Sequence, residues 1–260
     1  MDVVAMNFFS HFKKMLAIWL LINKESSSFI GGAFFLATSR LFQLAAFFLP
    51  LKILILVSSD VKPSYIQILP FDFGLNEAVV IFSCLVPIVY IMYIVCGIIS
   101  RRSLDYSQSI FIENSAIASK DKKANKLKKM HGHIGKAASE FILISLSMLL
   151  VLMVSISTAL ILLLMMIITI AAMFKIAIFM KDTDRTHYFK LHRKQCIEYA
   201  TSANFILVFV VILTQVMYLG MGVIVAIYVL LMSRMLFQAL QRYCIELMYI
   251  DVDLLGSNMR

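Results

Sequence analysis

Forty consecutive residues, Phe141–Met180, carry a single charged side chain, Lys175. One helix needs about 20 apolar residues to cross the hydrocarbon core of a bilayer. The stretch therefore predicts two crossings, with the turn near Ser155–Thr158. Tyr199–Ser233 repeats the pattern with no charge at all, and Tyr218-Leu219-Gly220-Met221-Gly222 supplies its turn. Composition agrees with a lipid solvent. Hydrophobic residues make up 61% of the chain, where ~45–50% is usual, and charged residues 15%, where ~25% is usual.

Two more crossings precede these. The first, about Phe29–Val57, contains Arg40, Lys52 and Pro50. A loop, 58–78, follows with Pro63, Pro70 and Asp72. The second, about Val79–Ile99, is uncharged, contains Pro87 and stops at Arg101-Arg102. The sixth crossing is expected to continue past Arg234 toward Tyr243. Ahead of all six, Val4, Phe8, Phe12, Met15 and Trp19 recur at helical spacing, with Asn7, Ser10, His11 and Lys14 on the other face. That pattern predicts an amphipathic helix lying in the membrane interface. A signal peptide fits less well: the charge follows nine residues of mixed sequence, the apolar run Met15–Ile22 is short, and no clear small-residue cleavage site follows it. The expected fold class is all-α integral membrane: an N-terminal interfacial amphipathic helix plus six transmembrane helices, both termini cytoplasmic. Its expected parts are the interfacial elbow helix 1–24, the six-helix domain 25–245 and a cytoplasmic tail 246–260.

Charge fixes the expected orientation. Of 24 Lys and Arg, 20 fall in 1–27, 100–140, 181–199 and 234–260, while loop 58–78 holds only Lys62. Cytoplasmic loops collect Lys and Arg, so those four segments are expected inside. The net charge of +9 is then accounted for by topology, and no nucleic-acid partner is expected. The densest basic run, Lys120, Lys122, Lys123, Lys126, Lys128 and Lys129, has two readings. It is either a solvated segment that fixes topology or a contact surface for a cytoplasmic partner or anionic headgroups. Arg185, Arg193 and Lys194 hold the same position in the second inner loop.

No catalytic or cofactor pattern accompanies this layout. Gly132-His133-Ile134-Gly135-Lys136-Ala137 is the nearest approach to a phosphate-binding loop, but its glycines are too close together and Ala137 lacks the needed hydroxyl. His131 and His133 have no Cys or carboxylate cluster beside them, and Cys84, Cys96, Cys196 and Cys244 have neither metal nor redox spacing. No enzyme, cofactor or metal is therefore expected, and the cysteines are expected to be free thiols. The apolar spans contain no Asp or Glu, which argues against a proton-driven carrier. An Arg near a bilayer centre costs roughly 2.5–3.5 kcal/mol on insertion scales. Arg40 and Arg234 therefore either sit on helices that protrude from the bilayer or line a basic cavity for an anionic cargo. Small residues, Gly31-Gly32-Ala33 and Ala171-Ala172, point to helix–helix contacts. The 17 Met and 20 Phe are read as lipid-facing bulk rather than a pliable pocket.

The layout resembles the transmembrane domain of ABC exporters of the type I secretion kind. The local resemblance lies in two stretches. Arg40-Leu41-Phe42-Gln43-Leu44-Ala45-Ala46-Phe47-Phe48-Leu49-Pro50-Leu51-Lys52 is similar to the first exporter span, an apolar run ending in proline before the outer loop. Leu230-Leu231-Met232-Ser233-Arg234-Met235-Leu236-Phe237-Gln238-Ala239-Leu240-Gln241-Arg242 is similar to the last span of such exporters. The resemblance implies a subunit without a nucleotide-binding domain, working as a homo- or hetero-oligomer with a separate cytoplasmic ATPase in a bacterial inner membrane. It further implies that 120–136 and 185–194 receive force from that ATPase, and that Arg40, Asn204, Gln215 and Arg234 line the cargo path. The alternative is a non-transporting anchor or sensor module of a larger envelope, secretion or defence complex. A pore is disfavoured by the scarcity of polar residues in the hairpins 141–180 and 200–233.

Overall fold

The computed structural model describes residues 15–58, 74–114, 121–173 and 192–250. Six long helices account for most of them: α1 Ser28–Ser58, α2 Leu75–Asn114, α3 Asp121–Val154, α4 Ile156–Met173, α5 Arg193–Leu219 and α6 Val223–Met248. All six are long and apolar enough to cross a membrane, and no strand occurs among the described residues. In lipid every backbone polar group needs an internal partner, and a helix provides one within its own segment. The chain is a multi-pass, all-helical membrane protein.

Side-chain registry fixes the direction of each helix. Ser39 donates to the Tyr93 carbonyl at 3.0 Å, Ser100 to Gly32 at 2.8 Å and Ser103 to Ser28 at 2.9 Å, so α1 and α2 run antiparallel. Ser107 meets His131 and Gln108 donates to the Lys128 carbonyl, which reverses the chain again into α3. Thr158 pairs with Gln215 and Thr169 with Asn204, so α4 and α5 are antiparallel. Residues 133 and 140 of α3 meet 246 and 242 of α6. Consecutive helices therefore alternate in direction. The end of the bundle holding residues 28, 114, 121 and 248 is the basic end.

The predicted turns fall where their residues permit. Ser155 alone separates α3 from α4; its hydroxyl bonds the Thr158 hydroxyl at 2.9 Å and caps the Thr158 amide at 3.4 Å. Between α5 and α6 the chain turns at 220–222, with Gly220 at φ 67 and its N–H donating to the Gln215 carbonyl. A side chain strains that left-handed backbone and glycine does not.

The basic end departs from the sequence expectation. Residues 100–140 were expected as an inner loop, but α2 continues to Asn114 and α3 begins at Asp121. At 1.5 Å per residue, the 40 residues of α2 span about 60 Å and the 34 of α3 about 50 Å. The hydrocarbon core is about 30 Å thick, so an α2–α3 hairpin projects beyond it. The cause is local: residues 101–114 and 121–139 contain no proline to stop the helices, and Gln108 and Ser107 tie one to the other. Of the N-terminal segment, 15–25 is helical. It buries Met15, Ile18 and Ile22 but exposes Leu16, Leu20 and Leu21. The polar face expected at Asn7, Ser10, His11 and Lys14 lies outside the described residues, as does the tail 251–260.

Bundle centre and rim are distinct. Half of the apolar window of α6 and 44% of that of α3 is buried, against 12% for α1 and 11% for α2. Helices α3 and α6 form the core, and α1 packs along α2 at the side. That second contact is a seam of small residues. Gly32 and Ala33 are buried, whereas Ala171 and Ala172 on α4 are exposed. Without a hydrophobic drive between helices in lipid, close approach and interhelical hydrogen bonds supply the attraction. A Cβ on Gly32 would lie 2.9 Å from Leu104 Cγ and 3.2 Å from the Leu104 backbone nitrogen, while one on Gly31 would meet nothing within 4 Å. Gly32→Val is expected to lower stability by about 1–3 kcal/mol through overpacking, with Gly31→Ala near neutral. Thermal unfolding of the two variants in detergent checks the contrast, and equal melting would refute the seam.

An arginine-lined cavity

Helix α6 places Arg234, Gln238 and Arg242 at successive intervals of four residues. That spacing puts all three on one face. Helix α1 brings Arg40, Gln43 and Phe47 opposite them, and Leu44, Leu231 and Met235 complete the wall of a cavity of about 500 Å³. Two of the predicted path residues, Arg40 and Arg234, thus come together in one cavity. Arg242, Gln43 and Gln238 join them, and the sequence reading singled out none of these three.

Glu140 organises the site from behind. Its side chain on α3 is 1% exposed, and its Oε1 accepts Arg242 Nε at 2.8 Å and is ion-paired with Arg40. Three helices therefore meet through one carboxylate. Glu140 Oε2 is buried with no hydrogen-bond partner among the described residues, so the charge is held by the two guanidiniums alone. A lone charge in this environment is costly, and pairing recovers much of that cost. Arg234 is exposed to the cavity and has no carboxylate partner among the described residues. The lining itself holds three guanidiniums and no carboxylate; Glu140 behind it pairs with two of them, and Glu246, one turn beyond Arg242 on α6, also acts on Arg40. Arg234 and Gln238 also border a second groove of about 460 Å³, with Thr201, Phe205 and Gln241. They form a polar ridge between the two openings.

Asn204 and Gln215 stand elsewhere. Asn204 Nδ2 donates to Thr169 Oγ1 at 2.6 Å, and Gln215, buried, accepts from Thr158 at 2.7 Å. Both hold α4 to α5, and neither lines the arginine cavity. Such bonds act as polar glue between helices in lipid.

The predicted partner-contact residues divide. Lys128 and Lys129 are exposed on the projecting hairpin and line a shallow cavity of about 550 Å³ with Gln108, Asn125, Gly132, His133 and Lys136. Lys122, Lys123 and Lys126 belong to the same helix, α3. Lys120 and Arg185 lie outside the described residues. Arg193 opens α5, and Lys194 sits 3.8 Å from Glu198 one turn on. Near the basic end His133 Nδ1 lies 2.5 Å from Glu246 Oε2, and its ring stacks on Tyr249 with centroids 5.1 Å apart. That contact fastens the hairpin to the end of α6.

Glu140 escaped the sequence reading because it falls at the last position assigned to the inner loop, one residue before the apolar run. In the structure no boundary exists there, since α3 is continuous through it. Arg242 had a usable signal, its spacing of eight from Arg234 with Gln238 midway. Comparison with family models, curated proteins and solved structures returns no match for this chain.

Glu140→Gln leaves two guanidiniums facing each other. Breaking a buried pair costs about 3–5 kcal/mol; the low end applies here because the Arg242 side chain is 40% exposed. Adding Arg40→Gln is expected to recover part of the loss by removing the more buried orphan charge. A double-mutant cycle on detergent-phase unfolding reads the coupling, and strictly additive losses would disprove the pairing.

Proposed function

We propose that this chain is the membrane-spanning subunit of an ABC-exporter-like assembly. In this reading it moves an anionic cargo, and a separate subunit hydrolyses ATP. The observation that supports it is the arginine cavity: an opening of about 500 Å³ whose lining carries Arg40, Arg234 and Arg242 within a six-helix bundle. Charge placed in a bilayer is expensive unless it serves a watery path or a ligand. Arg234, which Glu140 does not neutralise, fits that use better than a structural one.

The basic end is the cytoplasmic side in this proposal, by the positive-inside rule. Both chain ends, the interfacial helix and the α2–α3 projection then lie on the cytoplasmic side of a bacterial inner membrane. The projection is the natural lever for a cytoplasmic ATPase, with Lys128 and Lys129 at its surface and Arg193 and Lys194 beginning α5 nearby in the same aqueous layer. A bundle with such exposed flanks on α1 and α2 is suited to work as an oligomer.

The second reading is a non-transporting anchor or sensor. The Arg40–Glu140–Arg242 cluster favours it, because two of the three arginines are tied to one carboxylate and serve to join helices.

Two experiments decide. In a cysteine-free background, Lys129→Cys and Gly222→Cys are expected to react with an impermeant maleimide from opposite faces of sealed vesicles, Lys129→Cys only when the cytoplasmic face is open. Labelling of both from one face would overturn the topology. Gentle-detergent purification of the tagged chain from its host, followed by mass spectrometry, is expected to recover a stoichiometric nucleotide-binding subunit. Recovery of a stoichiometric partner of another kind would reject transport in favour of the anchor.

A further inference from the structure

A glycine inside a helix costs stability, so each one calls for a physical reason. Helix α3 contains two, Gly132 and Gly135. Packing explains Gly135: a Cβ there would lie 3.2 Å from the Leu104 side chain and 3.8 Å from that of Phe29. Packing does not explain Gly132, where a Cβ would meet nothing within 4 Å. Gly132 lies instead in the lining of the cavity of about 550 Å³ on the projecting hairpin, among Gln108, Asn125, Lys128, Lys129, His133 and Lys136. Asn125, Lys129, Gly132 and Lys136 follow one another at steps of four, three and four residues, which sets them in one row along α3. The other side of the helix buries Leu127, Met130, His131 and Ile134, and the rings of Phe29 and Phe111 pack on His131. That packing turns the row outward. Its missing side chain leaves a notch with a lysine on either side.

The lysines around the notch are unanswered. Lys128, Lys129 and Lys136 are exposed and have no carboxylate partner among the described residues. The lining contains no Asp or Glu, and Glu246 is engaged with His133. We propose that the notch binds a phosphate monoester, its phosphate over Gly132 between Lys129 and Lys136, with Lys128, Asn125 and Gln108 at the margin. Three ammonium groups around one opening repel each other. A phosphate with nearly two negative charges relieves more of that repulsion than a carboxylate with one. Lysine acts on phosphate as a point charge on a flexible stem, and the bare backbone at 132 lets the group come close. Height selects the source of the phosphate. The charge-free run of α3 begins at Phe141, nine residues after Gly132, so the notch stands about 14 Å beyond the start of that run. Headgroups add only about 5–8 Å to each side of the hydrocarbon core. The phosphate of an ordinary phospholipid reaches the level of Lys136 and falls short of the notch, whereas a soluble ester fills it from the water. The site is separate from the arginine cavity and holds whether or not the chain transports anything.

The test uses the full chain in phosphatidylcholine nanodiscs and isothermal titration with sn-glycerol 3-phosphate as the probe. Glycerate is the control that carries a carboxylate in place of the phosphate. One ester per chain is expected to bind, with glycerate at least about tenfold weaker. Gly132→Leu fills the notch without meeting the rest of the chain. It is expected to weaken the ester by at least about tenfold and to melt no lower than the native chain, since leucine is the better helix former. Lys129→Gln is expected to weaken the ester about tenfold, the size of one lost charge-assisted contact, and Lys129→Arg to retain most of the binding. Arg234→Gln, in the other cavity, is expected to leave it unchanged. Absence of saturable binding, equal binding of ester and glycerate, or unchanged binding in Gly132→Leu would overturn the proposal. Loss of binding in Arg234→Gln with Gly132→Leu silent would move the phosphate to the arginine cavity, which removes this site and leaves the anionic-cargo reading standing. Phosphatidic acid at about one lipid in ten of the nanodisc is expected not to compete. Competition that Gly132→Leu abolishes would uphold the notch and its phosphate chemistry and make the carrier a lipid.

Discussion

Glu140 is the point on which the bundle turns. One carboxylate, 1% exposed, draws Arg40 from α1 and Arg242 from α6 onto α3. In a bilayer an unpaired charge costs several kcal/mol, while apolar side chains gain nothing by leaving lipid for protein. Polar contacts therefore govern which helices become neighbours. The buried cores of α3 and α6 follow from this arrangement, because the carboxylate keeps both at the centre. The cavity follows too: the arginines are held on its wall rather than free to reach the interface.

The remaining helices attach by weaker versions of the same logic. Serine hydroxyls on both α1 and α2 reach carbonyls of the other helix across a seam of glycine and alanine. Thr158–Gln215 and Thr169–Asn204 pin α4 to α5 at two heights, and Thr201 reaches Gln241 from α5 to α6. Each of these bonds is worth around 1 kcal/mol in a membrane. Their placement at several depths fixes registry more than it adds stability.

The six crossings were legible because long apolar runs with few charges are what a helix needs to cross lipid. The turns at Ser155 and Gly220 could be read for the same reason: two helices had to fit in 40 residues, and serine and glycine were the residues able to end them. The projecting hairpin was not legible. Hydropathy marks where lipid ends, and a helix does not have to end there. The site was half legible. Arg40 and Arg234 stood out as charges inside apolar runs. Glu140 sat at the edge of such a run and looked like part of a polar loop, whereas Arg242 fell inside the expected sixth crossing, where its spacing of eight from Arg234 was the signal. Asn204 and Gln215 carry side chains equally able to face a path or a neighbouring helix, and only the position of Thr169 and Thr158 decides between them.

The carboxylate that joins the bundle arrives late. Arg40 precedes Glu140 by 100 positions, and Arg242 follows it by 102. At ~5–20 residues per second of synthesis, roughly 5–20 seconds separate each member of the cluster from the next. During the first interval α1 must keep Arg40 at the membrane surface or shielded by α2, since Glu140 has not yet been made. During the second, Glu140 is neutralised by Arg40 alone. The order of the chain thus sets an order of insertion: α1 and α2 as an early pair sealed by their small residues, α3 drawn in by Arg40, and α6 last, its Arg242 completing a site whose other half has been waiting at the interface.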